Sequence, residues 1–545
     1  MDTERGKKKI KFGVDIFHGE CPEDLPLVQL ADLDEELVAS YTGPDKGLAY
    51  LLDETKENNG NVSTMVAGVD GWNKKEQQAY GICISLYEQH PVNKKMSGDP
   101  VADAFSICAR KNNTIMVIAD GVNWGEKSRL AARCCLYGSM NYLNNQIFQQ
   151  KNYPSSTQEA LTLLRESLDE AHRFILQKDG GLTTVCACLI CPVSNSDQYA
   201  VCCVNVGDSF GFIYNVNHGI REVTIGSHDV SSERDIRDAG GALGPVDGIN
   251  PELHNLTCSL SFCNSGDVVF LTTDGISDNF DPVVTKIAIA QRSPDANLNS
   301  TSADINCSKP EMSPRERHIY SMKEMERVVH EFELITEEQC SAQELCGSLV
   351  QHVLTLTDNK RKILENPALY SRRRLTVSEK QVRDSEIVRK MASAPGKLDH
   401  ASIVAVEVGA FEDKDEDDED DDDDECELDE GVDATFTSID TSCLSQSPAH
   451  RSKKSGARKF FSRIRKLSSP TTLPAEHTLT LVNSPKKSNT SSKAKSDHEA
   501  SPPISPTSPN LSGIIFDNKF EARSCKAEFK SKRPYQRSMS YESNV

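Results

Sequence analysis

At 545 residues the chain is long for one ordinary domain, and its net charge of −21 is uneven: Glu412 to Glu430 holds 16 acidic residues and one lysine, leaving the remainder mildly acidic. No apolar run approaches the roughly eighteen residues needed to cross a bilayer, and the charged start, Met1 to Lys11, precedes no apolar core with a small-residue cleavage site. These features argue against a membrane-spanning or secreted protein, and the scattered cysteines then fit free thiols in an intracellular compartment, cytoplasmic or nuclear.

Residues 1–60 are polar and weakly periodic, an N-terminal extension expected to be weakly structured. Met65 to Val69, Tyr80 to Leu86 and, after the turn-rich Pro91 to Pro100, Ala102 to Cys108 read as strands leading into the β-branched run Thr114 to Ala119. Their short connections suggest an antiparallel meander. Glu126 to Phe148 has helical apolar spacing. A second helix begins at Ser156, where Ser-x-x-Glu159 writes a capping box, and Leu161, Leu164, Leu168, Ala171 and Ile175 mark its buried face. Strands are expected at Thr183 to Cys191, Tyr199 to Val206 and Phe210 to Tyr214, with Gly207-Asp208-Ser209 as a tight turn between the last two. Cys188 and Cys191 form a CxxC, but no partner pair lies at zinc spacing, so they read as core thiols.

Ser232 to Gly241 suggests a short helix stopped by glycine, and Val268 to Thr273 a second β-branched strand. A Ser-, Asn- and Asp-rich stretch at about 292–315 reads as a disordered insertion. Helical pattern returns at Ser321 to Leu334 and at Ala342 to Leu356, the latter capped by Ser341 and Glu344. Ala401 to Val408 is the last expected strand. The apolar density of 411–545 is too low to offset chain entropy, so a domain over 61–410 is expected to precede a disordered tail.

Two apolar strands end in Asp-Gly, at Asp120-Gly121 and Asp274-Gly275, and Asp399 stands just before a third. Singly, each is a turn signal. Strand ends gathered on one rim could instead offer carboxylates to Mg²⁺ or Mn²⁺, which prefer such oxygens.

The ordered set Asp103-Ala-Phe, Ile118-Ala-Asp120-Gly121-Val, Gly181-Leu-Thr-Thr184, Asn205-Val-Gly-Asp-Ser209, Glu233 to Gly241, Leu271-Thr-Thr-Asp274-Gly-Ile-Ser-Asp278 and Asp399-His-Ala-Ser-Ile403 resembles the PPM-type, metal-dependent serine/threonine phosphatases of the 2C class. Asp120-Gly-Val-Asn-Trp-Gly125 is closer to the Asp-Gly-Val-Gly-Gly-Trp branch of that family than to its Asp-Gly-His-Gly branch. The resemblance implies an α+β fold, an α-β-β-α sandwich of two antiparallel sheets flanked by helix pairs, with two Mn²⁺ or Mg²⁺ ions at one rim. Asp120 would bridge the ions, the Gly121 carbonyl would bind one, and Asp274 and Asp399 the other; Asp103 and Asp278 would support them or orient water. Metal-activated water would then attack phosphoserine or phosphothreonine directly, with no catalytic side chain beyond that water.

The chain also departs from that pattern. Ala102 replaces an expected metal carboxylate, for which Asp99 is the possible substitute; Gly98 stands where a phosphate-binding arginine is expected; Val122 replaces the common branch's acid. Lys94, Lys95, Arg110, Lys127 and Arg129 are alternative phosphate contacts, none singled out by sequence, and Asp179 lies near a family third-metal position. In the tail, Arg451 to Lys466 is basic and includes Phe460, Phe461 and Ile464, a composition suited to anionic lipid, nucleic acid or an import receptor. Two functions follow: a metal-dependent phosphatase acting on a phosphoprotein substrate, or a pseudophosphatase of the same fold that binds a protein partner as a scaffold.

Overall fold

The computed structural model describes residues 14–48, 51, 65–232, 238–291, 309–336, 340–370 and 376–412. In chain order the strands and α-helices are β1 (Phe17–Gly19), β2 (Leu37–Gly43), β3 (Met65–Val66), β4 (Val69–Asp70), β5 (Ala79–Ser85), β6 (Ala104–Arg110), β7 (Thr114–Ala119), α1 (Glu126–Asn144), α2 (Thr157–Gln177), β8 (Val185–Pro192), β9 (Gln198–Val206), β10 (Phe210–Asn215), β11 (Gly219–Glu222), β12 (Thr257–Asn264), β13 (Val268–Thr272), α3 (Asp274–Ser277), β14 (Ile289–Ala290), β15 (Glu311–Met312), α4 (Pro314–Thr336), α5 (Ala342–Leu364), α6 (Val377–Ser393) and β16 (His400–Glu407).

Among the described residues one sheet runs β1-β12-β9-β8-β7-β6-β2 and a second β11-β10-β13-β16-β5, with every neighbouring pair antiparallel. The central strands are apolar on both faces because each sheet is covered twice. Along β7, Ile115 and Val117 meet the α1–α2 layer, while Met116 and Ile118 face the second sheet. That alternation follows the two-residue period of a strand. Phe105, Ile107, Met116 and Ile118 fill the inter-sheet core with Ile213, Val269, Leu271 and Val404. On the far side, Met325, Val329, Leu345 and Leu349 of α4 and α5 pack on Phe212, Phe270 and Ile403. The result is the expected α-β-β-α sandwich.

Several local expectations change. The meander breaks after β5, which joins the second sheet beside β16 while β6 and β7 pair in the first. Doubly covered strands carry no alternation that would reveal this crossover. Gly207-Asp208-Ser209 likewise links the two sheets rather than closing a hairpin, since β9 and β10 lie in different sheets. Met65 to Val69 divides into the β3–β4 hairpin at Ala67 and Gly68, both at positive φ. Residues of the N-terminal extension form β1 and β2 at the two edges of the first sheet. Ser156 caps α2, but the Glu159 carboxylate turns to the Ser155 N–H and hydroxyl, so the box does not close on Ser156. The Ser341–Glu344 box closes as expected.

α6 is an unexpected helix with no buried residue, although Thr376 and Glu379 form a complete capping box. Residues 233–237 of the Ser232 to Gly241 segment, residues 292–308 of the insertion, and the tail beyond 412 lie outside the described residues. Cys188 faces the inter-sheet core and Cys191 the α1–α2 core, so the CxxC thiols are directed apart within β8. Among the described residues no helix is long and apolar enough to cross a membrane.

The close crossing of α1 and α2 depends on Gly138, where an added Cβ would lie 2.6 Å from the Ala171 Cα. Gly138→Ala should lower stability by about 1–3 kcal/mol through overpacking. A denaturation midpoint that falls at unchanged slope is the expected result; an unchanged midpoint would contradict it.

Candidate functional site

Strand register creates the rim. Thr272 pairs with Ile403, bringing the end of β13 against the start of β16, and the Asp120 carbonyl accepts from Thr184 N–H at 2.8 Å as β7 leaves the first sheet. Gly275 permits this approach, because any Cβ there would run into the His400 carbonyl. Asp103 is fully buried; its Oδ2 accepts from Thr273 Oγ at 2.8 Å, and Thr273 Oγ accepts from Ser402 N–H, tying β6, β13 and β16 together.

The resulting carboxylates share one field. Burial raises Asp120 well above the ordinary carboxylate range, reinforced by Asp103, Asp274, Asp399 and Asp208. Asp274 is raised by burial and Asp208, against the opposing influence of Lys397. Asp208, expected to be a turn residue, therefore belongs to the same electrostatic cluster. Asp103 Oδ1 and Asp274 Oδ1 are buried without a hydrogen-bond partner.

Lys397 was not anticipated from sequence. Its ammonium pairs with Asp274, and lies 3.0 Å from both Asp278 and Asp399. Burial opposes its charge, but these carboxylates hold it above the usual lysine range. The ammonium is thus shared by Asp274 and Asp399, the two carboxylates to which the resemblance gives one ion.

The opposite position also lacks its full donor set. Ala102 is fully buried, and its Cβ would lie 3.0 Å from a Cβ on Gly121. Asp99 is exposed, and Asp45 and His400 are the charges that act on it, so it does not supply the missing carboxylate. The residues as arranged do not fit two divalent ions: an ammonium holds the carboxylates of one position, and a methyl replaces an oxygen at the other.

The expected phosphate-arginine position is filled differently as well. Gly98 has φ +85°, and a Cβ would enter the Tyr87 ring. Its carbonyl accepts from His400 Nε2 at 2.6 Å, while His400 Nδ1 accepts from Ala102 N–H at 3.4 Å. Tyr87 OH donates to Asp399 Oδ1 at 3.2 Å and accepts from the exposed Trp124 indole at 3.0 Å, covering this side of the rim.

The alternative cations do not converge on it. Arg110 is buried against Asn144 and the Phe148 ring, Lys127 pairs with Asp179 on the surface, Arg129 pairs with Glu126, and Lys94 and Lys95 are exposed. Asp179 is thus the surface partner of Lys127.

In chelator, Asp120 contributes stability below its unfolded value and loses that contribution as pH rises through its raised folded value. Asp120→Asn should therefore melt higher than the parent at neutral pH, with the difference shrinking as pH falls toward 3.8. Paired thermal melts check this; a variant less stable at neutral pH would contradict it.

No family model matches the chain. A PP2C-like domain-containing protein of Drosophila melanogaster is 45% identical over 269 residues, covering 48% of this chain and 38% of that protein. The chain thus spans well under half the length of that curated relative. Among solved structures, the photosystem II phosphatase PBCP is 14% identical, covers 61% of this chain and 98% of its own, and gives a TM-score of 0.33. The Mycobacterium tuberculosis serine/threonine phosphatase PstP/Ppp is 10% identical, with coverages of 60% and 97% and a TM-score of 0.30. PppA of Pseudomonas aeruginosa is 12% identical, with coverages of 61% and 96% and a TM-score of 0.30. At these values the structural likenesses say nothing about this chain's chemistry. Over 269 residues the chain is thus similar to a PP2C-like domain-containing protein, and its own sheet order shows the two antiparallel sheets of the sandwich.

Proposed function

We propose that this PP2C-like domain is a pseudophosphatase: a protein-binding module in which Lys397 stands in for one divalent ion. The observation that carries this reading is the Lys397 ammonium among Asp274, Asp278 and Asp399. An ammonium neutralises carboxylates but has no vacant orbital to coordinate water, so it cannot generate the hydroxide nucleophile that a metal supplies. Ala102, Gly98 and Val122 favour the same reading, since they lack the carboxylate, phosphate-binding and acid groups of the implied enzyme. The exposed Trp124, braced through its indole by Tyr87, suits an aromatic anchor for a protein partner at this rim.

A second reading, a metal-dependent phosphatase, is favoured by Asp103 Oδ1 and Asp274 Oδ1, two buried acceptors without partners. Mn²⁺ or Mg²⁺ would then displace Lys397, with Asp120, Gly121, Asp274 and Asp399 as protein ligands.

The 545-residue chain should hydrolyse a phosphothreonine peptide with Mn²⁺ or Mg²⁺ no faster than Asp274→Ala does. Metal-dependent turnover that Asp274→Ala abolishes would overturn the pseudophosphatase reading. In calorimetry, Lys397→Ser should gain at least tenfold in Mn²⁺ affinity, because it removes the resident cation while retaining the carboxylates; equal binding by parent and variant would contradict the proposed substitution.

A further inference from the structure

A second group of potential ligands lies on the far side of Asp278, in a cleft between the second sheet and α4. Glu222 ends β11, His228 follows the short helical turn Ile225–Ser227, and His318 lies in the first turns of α4. His228 Nε2 is 2.8 Å from Glu222 Oε1, and His318 Nδ1 is 3.5 Å from Glu222 Oε2. One ligand atom from each of the three residues falls within 4.8 Å of the others.

We propose that Glu222, His228 and His318 form a transition-metal site selective for Zn²⁺ over Mg²⁺, distinct from the aspartate rim. Two imidazoles and one carboxylate form a borderline-soft donor set suited to Zn²⁺, whereas Mg²⁺ prefers oxygen and retained water. At Zn–N and Zn–O lengths near 2.1 Å, tetrahedral ligands stand about 3.4 Å apart. The two Glu222 separations bracket that spacing, and the histidine ligand atoms also lie within 4.8 Å of each other.

The surroundings make this more than a surface coincidence. Glu222 is buried with 4% exposure, and Oε1 also accepts from Thr224 Oγ at 3.1 Å, which orients the carboxylate from behind. The Phe210 ring lies 4.8 Å from the His228 ring and restricts its tilt. All three ligands line a cavity of about 100 Å³, bounded also by Ser232 and the Asp281–Arg317 ion pair. Three protein ligands beside this space leave a fourth coordination position for water or an anionic ligand. Because the ligands come from β11, its following loop and α4, zinc would clamp α4 to the sheet. The proposal is independent of whether the aspartate rim is catalytic.

The test uses the full chain stripped of metal by chelator. Zn²⁺ calorimetry should resolve a saturable site whose affinity falls at least tenfold in both His318→Ala and His228→Ala, but not in Asp274→Asn. Mg²⁺ should not compete at that site. Cobalt(II) should give a four-coordinate visible spectrum without the thiolate charge-transfer band that cysteine ligation would produce. X-ray absorption of the zinc-loaded parent supplies a readout independent of variant folding, with two imidazoles and no sulfur expected. Absence of zinc binding, a sulfur shell, or the same affinity in parent and both folded histidine variants would overturn the proposal.

Discussion

The governing constraint is the concentration of carboxylate charge at a buried sheet rim. Burial raises Asp103, Asp120 and Asp274, and the charges of Asp208 and Asp399 add to that repulsion in the low-dielectric environment. The fold brings them together because β7 and β13 end there, β16 begins there, and Gly275 lets the backbone of β16 approach. Such a rim requires positive charge to compensate it. Lys397 brings a positive charge to it from within the chain, on the same loop that delivers Asp399.

The neighbouring departures are linked through physical contacts. Gly98 admits the Tyr87 ring, offers its carbonyl to His400, and leaves no room for a longer side chain. Tyr87 in turn reaches Asp399 and supports Trp124. Ala102 anchors His400 through its backbone while its methyl faces Gly121. A change at the phosphate-arginine position, a missing carboxylate and a histidine beside Asp399 therefore form one packed assembly, with an aromatic surface where the resemblance implies an anion-binding edge.

The sandwich and the convergence of Asp120, Asp274 and Asp399 were legible because β-branched runs and ordered motifs marked the relevant strand ends. Sheet membership was not: β5, β6 and β7 are covered on both faces, so their apolar patterns do not distinguish a meander from a crossover. Lys397 carried a usable signal, since residues two apart in an extended segment project to the same side and Asp399 follows at that spacing. Among many lysines, that signal gained meaning only once the carboxylates had been assembled. Glu222 and His318 are separated by nearly a hundred residues, part of them in the insertion, and no local spacing rule could pair them. The α6 capping box was readable, but its lack of a buried apolar face left little periodicity to extend it into a helix.

The most direct test of the central claim is a crystal structure of Mn²⁺-soaked protein with data collected at the manganese absorption edge. The Lys397 side chain should remain between Asp274, Asp278 and Asp399, with no anomalous peak at that position. An anomalous peak bound by Asp274 and Asp399, with Lys397 displaced into solvent, would contradict the lysine-for-metal account.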